Sequence, residues 1–270
     1  VFNNGPFREK SKEERMALTR HAISYFARNY FPHPQYKRVD GKPMVDLHQA
    51  FIIADVFGLE ELEATVKDMR KTAKENGYEI FLVGDVFNWQ RVGDERYEKE
   101  VIPMFDAISS YTVINAGVGW KFDSKGNVYI VEPYDSMVEG YIKMYQHYSA
   151  KAKEHNVRLI PPTTPGFDNS ILYKGFNPKG TDDWLVKRTN PTLEKFGGML
   201  KEARKYVDPK LQMISIEAQN EFQEASVIEP TIEYGFQYHG LIRNLFAQMP
   251  AQGWPPRIFP YAGEIMVAHS

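Results

Sequence analysis

Cysteine is absent from the 270 residues, which removes disulfides, thiolate metal sites and a cysteine nucleophile together. The compartment is left open. No stretch approaches the roughly 20 apolar residues of a membrane helix, and no signal-peptide pattern opens the chain, so membrane insertion is not expected. The start at Val1, within a polar segment, reads as a processed or truncated N-terminus. Charge of one sign is lacking as well: 33 Lys and Arg stand against 35 Asp and Glu, for a net of -2. With no long basic run, this argues against a general nucleic-acid binder. The seven histidines, at positions 21, 33, 48, 147, 155, 239 and 269, never take the short spacings of zinc motifs, so neither metal nor cofactor is expected. Internal repeats and low-complexity tracts are missing.

What is present is apolar and aromatic. Hydrophobic residues make up 43% and aromatics 14% of the chain, enough to bury one large core, with one or two domains as the prior and a single domain over 1–270 as the reading adopted. Sugar sites use aromatic faces as platforms, but most of these rings must belong to the core. Hydrophobic periodicity predicts helices over 12–30, 58–76, 95–109, 135–155, 191–206 and about 233–248. Ser11 is the N-cap of the first, with Glu14 at capping-box spacing. Strands begin near Pro43, Glu79, Tyr111, Val157 and Met213. Regular alternation argues for parallel α/β architecture with the chemistry at the carboxyl ends of the strands. The tail from Pro250 is Pro-rich and unassigned.

The residues that follow those strands are chemically suggestive. Asp46 and His48 close the first; His48 alone is more often structural than catalytic. Asp85, Asn88 and Trp89 follow the second, with loop packing the competing role for Asp85 and Trp89. After the third, the loop Ala116-Gly117-Val118-Gly119-Trp120 contains a bare G-x-G. It lacks the third glycine and downstream acid of a dinucleotide site, which leaves a ligand-facing loop or a simple turn. Asp168 and Asn169 lie in a long exit loop after the fourth strand, where turn capping is their alternative role.

The stretch QMISIEAQNEFQEASVIEP, Gln212 to Pro230, is the densest in acid. Met213 to Ile216 alternate like a buried strand, and Glu217, Glu221, Glu224 and Glu229 follow with no Lys or Arg among them. Glu221 and Glu224, three apart, share one side of a helical turn at about 5–6 Å. Two carboxyls flanking one bond can divide acid and base work, because repulsion and burial raise one pKa and leave the other group ionised. By residue type alone a solvated acidic loop is the commoner reading. Interleaved Phe222, Gln219, Asn220 and Gln223 favour a site.

Asn220-Glu221-Phe222-Gln223-Glu224-Ala225 with Ile228-Glu229-Pro230 resembles the N-E-W-x-E-G…(I/L)-E-P signature of glycoside hydrolase family 99 and the related WbsX-like glycan-processing proteins. His33-Pro34 with Tyr36 and Gly41-Lys42-Pro43 resemble the family's H-P-x-Y/F…G-K-P. Leu159 to Pro162 with Pro165-Gly166-Phe167-Asp168-Asn169 resemble its F-I-P-x-V-x-P-G-Y/W-D segment. The three matches fall in family order. The sequence departs where Phe222 and Ala225 replace Trp and Gly, and where Leu47-His48 replace a Tyr-Asp pair. Many relatives have an Arg after the Asp168 motif; here that cationic contact is either missing or supplied by Lys174 or Arg188.

The resemblance implies a (β/α)8 TIM barrel, here lacking its N-terminal strands. It implies a glycoside hydrolase acting on alpha-linked, mannose-containing or related glycans by a retaining mechanism. The substrate's own 2-hydroxyl would attack, Glu221 drawing its proton and Glu224 serving the leaving oxygen and then water. Asp46, His48, Asp85, Trp89, Trp120, Asp168, Asn169, Asn220 and Phe222 would hold an oligosaccharide or polysaccharide. The alternatives are a WbsX-like protein of polysaccharide biosynthesis, with a transferase role, and a noncatalytic glycan-binding barrel.

Overall fold

The computed structural model describes residues 9–246, so the tail from Pro250 lies outside the described residues. The chain divides into two compact units, with the boundary in the sequence between Glu229 and Pro230. The second holds the helix α7, Gln237–Phe246, preceded by a turn in which the Gly235 N–H donates to Thr231 O.

The first unit opens with α1, Lys12–Asn29, started by the anticipated capping box: Ser11 Oγ accepts the Glu14 N–H, and Glu14 Oε2 accepts the Ser11 N–H at 2.8 Å. A two-residue strand β1, Arg38–Val39, then turns at Asp40-Gly41 into β2, Lys42–Leu47. Both turn residues have positive φ, as this tight hairpin needs. Helices α2, Ala50–Phe57, and α3, Leu59–Glu75, lead to β3, Phe81–Asp85. Helix α4, Glu95–Val101, gives way at Pro103 to a short 3-10 turn, and β4 is Ala107–Ser109. Strand β5, Tyr129–Pro133, runs into the long helix α5, Tyr134–Glu154. Next come β6, Arg158–Leu159; β7, Pro162–Thr163; β8, Leu185–Thr189; and α6, Leu193–Arg204. Strand β9, Ser215–Ile216, and the tiny hairpin of β10, Asn220–Glu221, with β11, Ser226–Val227, complete the unit.

Strands β2, β3, β4 and β6 pair in parallel in that order, and the kinked continuation of β6 into β7 pairs in parallel with β9. This is a mixed α/β chain with a curled, half-barrel sheet. A closed eight-stranded barrel is not seen among the described residues. Val45, Leu47, Leu82, Ile108 and Leu159 face the helices and form the main core with them. The intervening residues Met44, Phe81, Val83, Ala107, Ile160 and Met213 form a second cluster on the concave face. That period of two decides which residues reach the inside of the curl at its carboxyl end.

Helix α5 grips the loops at that end through its tyrosines. Tyr148 Oη accepts the Asn88 N–H at 3.2 Å and Tyr141 Oη accepts the Val113 N–H at 2.9 Å. The hydroxyls of Tyr145 and Tyr134 donate to the carbonyls of Pro162 and Thr164. All four rings are buried.

Two expectations shift. The third strand is Ala107–Ser109, four residues earlier than Tyr111, and the preceding helix is shorter than 95–109. Pro103 ends the helix, and Ile102 and Phe105, which mimic helical spacing, belong to the turn that follows. The second shift is the parallel pair β5–β8, which periodicity did not show.

Candidate active site

The inner face carries Met44 then Asp46 on β2, Phe81, Val83 then Asp85 on β3, Ala107 then Ser109 on β4, and Met213, Ser215 then Glu217 along β9. Each apolar run thus ends in a polar group at the carboxyl end. Asp85 is 2% exposed. Its Oδ2 accepts the Gln49 N–H at 2.7 Å and lies 3.4 Å from His48 Nδ1. Burial pushes its pKa up to about 7, against the pull of the Gln49 bond, and the Asp46 charge adds to the rise. Burial lowers the His48 pKa, which favours the neutral imidazole beside this carboxyl. Glu217 is likewise raised to about 7 by burial, with Asp85 and Asp46 adding to the rise, although Ser215 Oγ donates to it. Asp46 reaches about 6 by burial. Water touches its side chain at the mouth of the curl, yet the surrounding walls withdraw enough solvent to favour the neutral form.

The hairpin after β9 brings the second group of acids over this end. Buried Ser226 ties it down, donating to Glu217 O at 2.8 Å and accepting the Ala218 N–H at 2.9 Å. Glu221 ends β10 and caps the 3-10 turn Phe222–Glu224 that carries Glu224, with Ala225 in the left-handed region. Glu224 is pushed up to about 7, first by burial and then by the charges of Glu221 and Asp182. Its carbonyl accepts the Asp168 N–H at 2.7 Å. Burial works to raise Asp168, but bonds from Ser170 and Lys187 outweigh it and hold the carboxylate below its ordinary range.

A cavity of about 650 Å³ opens at this end, lined by Glu224 and by the rings of Tyr111, Trp120, Phe167 and Trp184. Tyr111 feels four of these acids: after burial, the charges of Glu224, Glu221, Glu217 and Asp85 raise its pKa. The edge of His48 packs on it, with ring centroids 5.0 Å apart.

The model of the family described as Glycosyltransferase WbsX matches residues 9–242. The chain belongs to that family. No curated protein matches this WbsX-family chain. Among solved structures it is similar to one titled "Glycoside hydrolase-like protein", at 19% identity and a TM-score of 0.57, covering 86% of this chain and 61% of that one. It is also similar to the GH99 endo-alpha-mannosidase from Bacteroides thetaiotaomicron, at 18% identity and a TM-score of 0.51, covering 89% of this chain and 64% of that one. A second structure of that enzyme, in complex with BIS-TRIS-propane, gives a TM-score of 0.50 at 18% identity, covering 89% of this chain and 67% of that one. At such identities the likeness is one of fold. The chain spans under two thirds of the length of the first two structures.

Other singled-out residues of this WbsX-family chain sit less directly. Trp120 is 43% exposed on the cavity rim, while Trp89 packs partly buried against the helical core and does not line the cavity. Asn169 is fully buried and spends both amide ends on Asp182, Trp184 and the Val186 N–H. Asn220 and Phe222 are exposed on the hairpin. The cation near the Asp168 motif is neither Lys174 nor Arg188 but Lys187, at 2.9 Å from Asp168. Lys174 pairs with Asp183, and buried Arg188 donates to the carbonyls of Ile114 and Ala116. Sequence reasoning passed over Tyr111, Ser109, Gln49 and Asn115. Tyr111 was hidden by the misplaced strand, which put it at a beginning instead of an exit.

Proposed function

We propose that this chain carries the active site of a retaining glycoside hydrolase for alpha-linked, mannose-containing or related glycans, built on part of a (β/α)8 barrel. The observation that supports this best is Glu224. It is a carboxyl held near pKa 7 by burial and by Glu221, on the wall of an aromatic-lined cavity at the carboxyl ends of parallel strands. A group that is both protonated and deprotonated near neutral pH suits an acid that must later act as a base.

In the first step Glu221 takes the proton of the sugar's 2-hydroxyl as that oxygen bonds to C1. The bond from C1 to the leaving oxygen breaks, and that oxygen takes the proton of Glu224. In the second, water bonds to C1 and gives its proton to Glu224, the bond between C1 and O2 breaks, and Glu221 returns its proton to O2. Asp46, His48, Asp85, Trp120 and Asp168 hold the sugar; Asn220 and Phe222 border the hairpin that carries the acids.

Kinetics of two variants test the assignment. Glu224→Gln should cut turnover severely on natural glycans and much less on substrates with activated leaving groups. Glu221→Gln should damage both, and a substrate lacking its 2-hydroxyl should be inert. A covalent sugar trapped on either Glu would replace this scheme with a carboxylate nucleophile. The family description favours a second reading, transfer during polysaccharide assembly, which sugar transfer to an acceptor without hydrolysis would support. Binding without turnover would indicate a glycan-binding barrel.

A further inference from the structure

Four buried side-chain atoms at the carboxyl end of the sheet lack a hydrogen bond of good geometry: Gln49 Oε1, Ser109 Oγ, Asn115 Nδ2 and Asp85 Oδ1, although the Tyr111 N–H and the Ser110 hydroxyl lie near enough to the Asp85 carboxyl to pull its pKa down. The other such atoms among the described residues, on Thr72 and His239, lie in helices α3 and α7. Unpaired buried polar atoms are costly and uncommon, so a cluster of four calls for a cause.

Geometry places them together. Asp85 and Ser109 are direct neighbours in the pairing of β3 with β4, and neighbours in register point to the same face of a sheet. The Gln49 N–H donates to Asp85 Oδ2, which sets Gln49 beside it. Gln49 and Asn115 line the cavity, while Asp85 and Ser109 lie buried beneath that lining and do not themselves form its wall. Asn115 is 3% exposed, and the carbonyls on either side of it are clamped by Arg188.

The set is mixed in kind. Gln49 Oε1 accepts, Asn115 Nδ2 donates and Ser109 Oγ does both; Asp85 Oδ1 accepts, and donates when protonated. A sugar hydroxyl also donates and accepts, so adjacent hydroxyls on one ring satisfy such a set. A phosphate, sulfate or carboxylate only accepts. It would set its lone pairs against those of Gln49 and Asp85.

Charge points the same way. Among the described residues the cavity wall carries Asp55, Asp182 and Glu224 and no Lys or Arg, and Glu217 and Glu221 add their field at Tyr111. Nearby cations are engaged: Arg91 with Asp55 and Asp94, Lys187 with Asp168, and Lys121 with Glu132.

We propose that Gln49, Asp85, Ser109 and Asn115 form a hydroxyl-binding floor for an uncharged sugar residue, and that the surrounding carboxyls reject uronates, sulfated sugars and nucleotide-diphosphate sugars. This rests on the reading of the cavity as a glycan site, and does not depend on which bond is broken there.

The test is a ligand-observed NMR titration of the full chain at pH 7.5. The panel is alpha-linked disaccharides of mannose, glucose and galactose, each beside its counterpart ending in a uronic acid, together with GDP-mannose. At least one neutral disaccharide should bind, with its uronate about tenfold weaker or more and GDP-mannose weaker still. Ser109→Ala and Asn115→Ala should each weaken the neutral ligand by about five- to tenfold with unchanged circular dichroism. The double variant Asp85→Asn, Glu217→Gln should narrow the gap between neutral and uronate ligands. The inference is overturned if a uronate or GDP-mannose binds as tightly as the neutral sugars, if no panel member binds, or if Ser109→Ala and Asn115→Ala bind like the parent. Neutral-selective binding without cleavage would keep the floor and remove the hydrolase; cleavage without charge selection would do the reverse.

Discussion

Tyr111 is the side chain on which the site's fields converge, since burial first and then four carboxyl charges raise its pKa, and the edge of His48 packs against its ring. A phenol kept protonated so firmly is a hydrogen-bond donor to whatever sugar oxygen it meets. Tyr111→Phe removes one donor and little volume, and should lower kcat/KM by roughly ten- to a hundredfold while leaving the melting temperature within a few degrees. An unchanged kcat/KM would take Tyr111 out of the site. At this scale the acids were legible in the sequence, because Asp46, Asp85, Glu217 and Glu224 each terminate a strand or sit in the loop beyond it. The amides and hydroxyls were not. Gln49, Ser109 and Asn115 are ordinary residues whose meaning comes from burial without a partner, and single-sequence patterns carry no such signal.

Elements with local signatures were read well. The capping box of α1 and the run of α5 both emerge from spacing alone. The β5–β8 pair did not, because its strands break the alternation: Val131 is exposed, while Arg188 is buried and bonded to loop carbonyls. Helix α5 also meets the loop of Asn115 to Gly119 at glycine on both sides. A Cβ on Gly140 would fall within the backbone of Ala116 and Gly117, and Gly117 has φ +81° and closely approaches Ser136 O. Gly140→Ala should therefore cost about 1–3 kcal/mol by thermal or denaturant melting. It should also displace the loop that presents Asn115 and Trp120 and weaken glycan binding. A variant as stable as the parent would mean that the loop yields freely.

Across the whole molecule the proton balance has a definite sign. Asp46, at about 6, and Asp85, Glu217 and Glu224, each at about 7, lie above their ordinary values of 3.8 for Asp and 4.5 for Glu. The folded state binds more protons than the unfolded one in that interval. Their contribution to stability is therefore complete below about pH 4 and lost as pH rises through 6 to 7. Asp168, held low, acts oppositely and only in stronger acid. Melting temperature should fall from pH 5 to pH 8, and Asp85→Asn should flatten that fall by an amount on the order of 4 kcal/mol or less at pH 8. A parallel displacement of the two curves would remove Asp85 from the balance. The parallel order of strands was legible because helices alternate with them. The degree of closure was not, since that depends on pairings between strands distant in sequence. The tyrosines of α5 give this architecture a kinetic signature. The amides of Asn88 and Val113 belong to no strand or helix, yet each donates to a buried phenol. In deuterium oxide they should exchange as slowly as sheet amides, and Tyr141→Phe should release Val113 alone while Asn88 stays protected. Deuterium uptake there would then time how often the long helix lets go of the cavity rim.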